Sequence, residues 1–368
     1  MIKKNKLLEA ITTINDEYGD KESGNNPIVL GKPVVKSIST GSFALDYATN
    51  FGGLPEGRLF EFYGSEASGK TTAALKIAKQ FLSNGDSVLF VDMEAAFSPD
   101  WGSKLGIKYS TKADIVKNPD KAHFIIVEPT TFTETFVEIR KFLDAGIKLV
   151  ILDSIPALVS NEEIEGKEVE GKGMPIFAKN LKSELKTLNN ICAKYKANII
   201  FINHLMEKIT TFGFGEKKTT PGGKALKFFS SMRMEFARIK TLKDNNDVKY
   251  ANRVEVNVTK NKLAAPYGKA QFTLNFLTGW DDLQEIIDFA IQYGIIVKEN
   301  PRLYTYNGEK FATSAPELEN KIKSDTALQE TLKKAIKEKM KQEIEMKKKM
   351  AEEIGLVLPD EQEAEVTE

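Results

Sequence analysis

Residues 64–71 read Gly64-Ser65-Glu66-Ala67-Ser68-Gly69-Lys70-Thr71, with Thr72 directly after. Glycines at this spacing, closed by a lysine and a hydroxyl, suit a polyphosphate. Gly64 and Gly69 let the backbone turn tightly and bring its N–H groups onto phosphate oxygens. Lys70 supplies a cation to the β- and γ-phosphates, and Thr71 an oxygen to Mg²⁺. Two carboxylates fit the same chemistry. Asp153 closes the apolar run Leu149–Leu152, and the carboxyl end of a buried parallel strand is where such sheets bind ligands. It would hold Mg²⁺ directly or through water, although alone it reads equally as a helix cap or turn former. Glu94, in Asp92-Met93-Glu94, would position and polarise a water that attacks the γ-phosphate. Taken alone, Glu94 is as easily a solvated surface residue.

A phosphate loop works only between a strand and a helix, and the flanking pattern predicts both. Arg58–Tyr63 reads as a strand and Thr71–Leu82 as a helix. Ser87–Asp92, Phe124–Val127, Lys148–Asp153 and Ile199–Asn203 read as further strands. Thr133–Leu143 and Phe177–Tyr195 read as the helices between them. This alternation implies crossover units and a mostly parallel sheet. Runs such as Leu149-Val150-Ile151-Leu152 suit strands covered on both faces. After Gly213 the alternation weakens: Met232–Ile239, Arg253–Thr259 and Gln271–Phe276 read as strands, with antiparallel pairing the natural alternative. A small α+β unit is expected from Asp281, then a Lys-rich helix over Thr326–Met350.

With 368 residues, the chain exceeds one minimal core and predicts a large domain with additions. Lys+Arg and Asp+Glu both count 52, so any nucleic-acid surface must be a local patch. Cys192 is the single cysteine and sits in an apolar-periodic stretch, where it reads as a small buried hydrophobe. A reducing compartment follows, and a cytoplasmic location is expected. No apolar run approaches the ~20 residues that span a bilayer. Residues 3–18 read as an amphipathic helix, with Leu7, Leu8, Ile11 and Ile14 on one face. The last residues, 352–368, carry seven acidic groups and no basic one, and read as a solvated disordered tail.

Two stretches without apolar periodicity interrupt the compact pattern, Ser160–Pro175 and Leu205–Pro221. The second carries Lys208, Lys217 and Lys218, with Phe212 and Phe214 among small residues. Lysines beside aromatics suit single-stranded DNA, charge tracking the backbone while rings meet the bases. A solvated surface loop is the other reading. The Lys-rich helix is read as a solvated face, with a duplex-DNA approach surface as its alternative.

Together these motifs resemble the RecA family of DNA strand-exchange recombinases. The resemblance runs from about Lys36 to Phe276. It rests on Ser39-Thr-Gly-Ser-Phe-Ala-Leu-Asp46, Gly52-Gly-Leu-Pro-Glu-Gly57, the phosphate loop, Leu152-Asp-Ser154, Phe201-Ile-Asn203, Gly222-Gly-Lys-Ala-Leu-Lys-Phe228 and Lys260-Asn-Lys-Leu-Ala-Ala-Pro266. It implies an α/β fold: a RecA-like P-loop ATPase core with a mostly parallel twisted sheet, an N-terminal docking helix and a small α+β C-terminal domain. The expected divisions are 1–32, 33–278, 279–350 and an acidic tail over 351–368.

The resemblance also assigns roles. ATP and Mg²⁺ are the expected cofactors. Glu94 takes the position of the catalytic carboxylate beside Lys70. Trp101 stands where the family stacks a tyrosine on adenine, and a larger ring keeps that ability. Lys260 and Lys262 match residues that reach ATP on a neighbouring subunit. Phe228 matches a subunit-interface aromatic, with core packing as its alternative. Met174, Lys208, Phe212, Phe214, Lys217, Lys218, Gly222 and Gly223 fall in the family's DNA-binding loops. His204 replaces a glutamine that senses the γ-phosphate; a neutral imidazole still donates one N–H there, with a histidine merely capping the strand end as its alternative. The expected activity is ATP-dependent strand exchange in a homo-oligomeric filament, with single-stranded and homologous double-stranded DNA as partners and no membrane. A hexameric helicase or translocase on the same core is the alternative; the docking helix and the lack of an arginine finger speak against it. A non-enzymatic ATP-gated DNA-binding protein is a third, against which the intact phosphate-loop residues stand.

Overall fold

The computed structural model describes residues 9–10, 12–14, 16–17, 35–158, 173–207 and 218–353; for residues 173–176, 207, 218, 351 and 352 it describes the backbone alone. The expectations on Lys208, Phe212, Phe214 and Lys217, on most of the N-terminal helix and on nearly all of the acidic tail lie outside these residues. So do the side chains of Met174 and Lys218.

Nine strands form the main sheet: β1 Leu59–Gly64, β2 Val88–Asp92, β3 Phe124–Val127, β4 Leu149–Asp153, β5 Asn198–His204, β6 Met232–Lys243, β7 Lys249–Asn261, β8 Lys269–Asn275 and β9 Gly279–Trp280. Their spatial order is β9-β8-β7-β6-β1-β5-β4-β2-β3. From β6 to β3 every pairing is parallel. From β6 to β9 every pairing is antiparallel. The predicted alternation of strand and helix is borne out, and the later strands take the antiparallel option.

Strand alternation sends side chains to two different cores. Phe60, Phe62, Ile151, Ile200 and Ile202 face the helix Lys70–Ser83 with its Ala74, Ile77 and Phe81. That core continues into the C-terminal elements through Ile286, Tyr304, Ile322 and Ile336. Leu59, Val150, Leu152, Ile199 and Phe201 face the other way, onto the helices Phe132–Asp144 and Gly173–Tyr195. Cys192 is buried in this second core, as its spacing predicted.

The helix expected from Phe177 begins at Gly173, so Met174 and Pro175 belong to its first turn rather than to a loop. A proline is harmless there, because the first helical N–H groups have no intrahelical partner. The stretch Leu205–Pro221, read without structure, has a paired base: Met206–Glu207 lies antiparallel to Lys218–Thr219.

Candidate nucleotide site

The phosphate loop sits where the sequence put it, between β1 and the helix Lys70–Ser83. Gly64 is required by space: a Cβ there would stand 2.2 Å from the Phe236 carbonyl oxygen. Gly69 caps the helix at φ +93°, a left-handed conformation that side chains resist. The loop therefore wraps a helix N-terminus whose free N–H groups and dipole favour an anion.

One cavity of about 320 Å³ gathers Glu66 through Thr72 with Glu94, Trp101, Asp153 and His204. Gly64 and Ser65 lie behind the lining and shape it through their carbonyls, which accept from the Lys70 ammonium at 3.2 and 2.8 Å. Burial lowers the affinity of Lys70 for its proton; the charges of Asp153, Glu94 and Glu66 oppose that shift. Thr71 Oγ1 donates to Asp153 Oδ2 at 2.6 Å. A hydroxyl and a carboxylate side by side form a hard-oxygen pair of the kind Mg²⁺ takes, so these two residues fit that ion. Burial pushes the Asp153 carboxyl up to about 6; the Thr71 hydrogen bond and Lys70 counteract, while Glu94 and Asp92 add to the rise.

Three strand ends supply the opposite wall. Asp92 and Asp153 are register partners on β2 and β4, and His204 is paired with Gly64 on β5 and β1. Buried Asp92 accepts from the backbone N–H groups of Ala96 and Phe97, which fixes the turn that carries Glu94. Ser154 Oγ donates to Glu94. Asp92 and Ser154 were not singled out by sequence, though both stand at strand ends beside residues that were. Trp101 is half-buried in the short helix Pro99–Lys104, capped by the Ser98 hydroxyl.

The remaining predicted residues fall elsewhere. Lys260 and Lys262 do not line the cavity. Lys260 donates to the carbonyls of Lys227 and Phe228 at 2.7 and 3.0 Å, and burial lowers its pKa to about 8, with Lys262 and Arg233 pushing the same way. The Lys262 ammonium lies 5.5 Å over the Phe228 ring. Phe228 is 62% exposed, so core packing does not account for it. Gly222 and Gly223, both at positive φ, open the helix Gly223–Phe229.

The family model described as RecA N-terminal domain matches residues 5–281. Protein RecA of Chlorobaculum tepidum is 34% identical over 332 residues, covering 89% of this chain and 91% of that protein. Protein RecA of Frankia casuarinae is 36% identical over 327 residues, covering 87% and 90%. A crystal structure of the RadB recombinase superimposes with a TM-score of 0.48 at 23% identity, over 67% of this chain and 99% of that one.

Proposed function

The chain belongs to the RecA family, and from that premise we propose that it is an ATP-dependent DNA recombinase, one that forms filaments on single-stranded DNA and catalyses homologous pairing and strand exchange. The observation that carries this reading is the convergence of Lys70, Thr71, Asp153, Glu94 and His204 on one cavity at the carboxyl ends of parallel strands.

In this mechanism the backbone N–H groups of residues 66–72 and the Lys70 ammonium hold the β- and γ-phosphates. Thr71 and Asp153 would hold Mg²⁺, whose charge would offset that of the phosphates. Glu94, steadied by Ser154, accepts a hydrogen bond from the attacking water and orients it in line with the γ-phosphorus. Trp101 stacks on the adenine. His204 reads the γ-phosphate from the end of β5, two residues before the paired base of the loop expected to contact DNA. Lys260 and Lys262 reach the nucleotide of a neighbouring subunit, which makes turnover depend on assembly; that neither lines this chain's own cavity supports that role. Phe228 meets the neighbour on the same face. No helix among the described residues is long and apolar enough to cross a membrane.

The test mixes the protein with ATP, Mg²⁺ and circular single strands, then adds homologous linear duplex. Joint molecules that require both ATP and homology support the recombinase. Unwinding without homology would replace it with the helicase reading, and DNA binding without turnover with an ATP-gated binding protein.

A further inference from the structure

β1 carries a charge in the middle of an apolar strand. Glu61 has no exposed surface, and a buried carboxylate persists only when its oxygens are paired. Both are. Oε1 accepts from Asn203 Nδ2 at 2.9 Å, and Oε2 accepts from Arg233 Nε. Alternation puts all three on one sheet face, Arg233 being the register partner of Glu61 across β6.

Each partner reaches a different functional edge. The Asn203 amide also donates to the Pro221 carbonyl at 2.9 Å, and its oxygen accepts from the His204 backbone N–H at 3.0 Å. It thus joins the cavity wall to the residue where the segment Leu205–Pro221 returns to the core. Arg233 lies over the Tyr63 ring, 4.4 Å from its centroid, and is the register partner of Lys260 on β7. A register shift beside that pair leaves Thr259 as the extra residue: Arg233 faces Lys260 while Met234 faces Val258. Such a bulge turns the next side chain to the other face. Lys260 therefore points toward Arg233 and the helix Gly223–Phe229, rather than into the core that holds Val258.

We infer that Glu61 is a positioning residue whose two oxygens tie the His204–Asn203–Pro221 arm to the Arg233–Lys260 arm, so that DNA at the loop and the lysine offered to a neighbour's nucleotide respond together. The inference rests on the recombinase reading, in which Lys260 acts across a subunit boundary and Leu205–Pro221 contacts DNA. The charges facing Lys260 are Lys262 on its own strand, Arg233 on β6 and Glu61 on β1; only Glu61 favours the ammonium.

The experiment measures ATP affinity and ATP turnover, with and without poly(dT), across the pH range on both sides of 8, for wild type, Glu61→Gln and Glu61→Gln with Arg233→Met. Both variants should bind ATP within about twofold of wild type, since Glu61 lies outside the cavity lining. In Glu61→Gln the stimulation by DNA should fall about tenfold, the scale of one charge-assisted hydrogen bond. Its alkaline limb should move to lower pH, because nothing then offsets Arg233 beside Lys260. The double variant removes the stranded cation, so it should fold and recover the limb, yet keep the weak stimulation because the tie is cut. Wild-type stimulation and an unmoved limb in Glu61→Gln would overturn the inference. Should that variant fail to fold, wild-type stimulation in the double variant overturns it alone. A wild-type protein whose turnover ignores DNA would instead overturn the recombinase reading.

Discussion

His204 Nε2 stands 3.7 Å from Glu94 Oε1, the same oxygen that accepts from Ser154. The candidate γ-phosphate sensor and the candidate water-orienting carboxylate therefore share one edge of the cavity. Neither is fully buried, so both remain open to a ligand.

His204 carries ring nitrogens that can donate or accept at this edge of the cavity. A ring N–H at this edge can donate to a γ-phosphate oxygen, so ATP-stimulated DNA binding is expected to depend on that donor. His204→Gln keeps an N–H donor and should keep the stimulation, whereas His204→Ala should bind ATP and lose the stimulation. DNA affinities with and without ATP decide this; an alanine variant that couples like wild type removes His204 from the sensor role.

Glu94→Gln keeps the shape and the Ser154 contact but can no longer draw on a carboxylate's charge. It should bind ATP and DNA normally and hydrolyse slowly, by about 10²-fold or more, leaving longer-lived filaments. Turnover assays with filament lifetimes by light scattering check this. Failure to bind nucleotide at all would make Glu94 a structural residue.

Much of this site was legible because it is local. The phosphate loop is one continuous segment, and Asp153 and Glu94 each follow an apolar strand whose burial on both faces leaves an unbroken hydrophobic run. What escaped is non-local. Glu61, Asn203 and Arg233 are far apart in the chain and meet only because β1 is flanked by β5 and β6. The available signal was the glutamate itself, a charge inside Leu59-Phe60-Glu61-Phe62 that had to find partners. The bulge at Thr259 left no mark in the sequence, since an extra residue in a strand looks like any other. The pairing of Met206–Glu207 with Lys218–Thr219 was hidden for another reason: two-residue strands show no periodicity.

Trp101 and Trp280 are the two tryptophans, and their surroundings differ. Trp280 is buried, stacked on Phe272 at 4.0 Å with its indole N–H on Glu285. Trp101 lines the nucleotide cavity. Adenine nucleotides should therefore quench only the Trp101 share of the emission, and Trp101→Phe should abolish the change. Loss of the larger ring should weaken binding by about 0.5–1.5 kcal/mol, about 2- to 12-fold. A nucleotide-induced change that survives in Trp101→Phe would put the adenine elsewhere.

Asp153 links nucleotide binding to acidity. Burial raises its carboxyl to about 6, above the ordinary value of an unfolded chain. A raised carboxyl stabilises the empty protein fully below about 4 and loses that contribution as pH rises through about 6. At neutral pH the empty site thus holds an unwelcome anion beside Asp92 and Glu94, and a bound cation relieves it. Two outcomes follow. Binding of ATP with Mg²⁺ should weaken as pH falls through about 6, where Asp153 takes up a proton. In chelator without nucleotide, Asp153→Asn should melt higher than wild type at pH about 8, by about 1–3 kcal/mol, with the gap closing toward pH about 5. The amide oxygen still accepts from Thr71, so the loop keeps that contact. Calorimetric melting at several pH values, with ATP titrations at each, tests both. A variant that melts with wild type at every pH would show that Asp153 carries no such tension in the empty site.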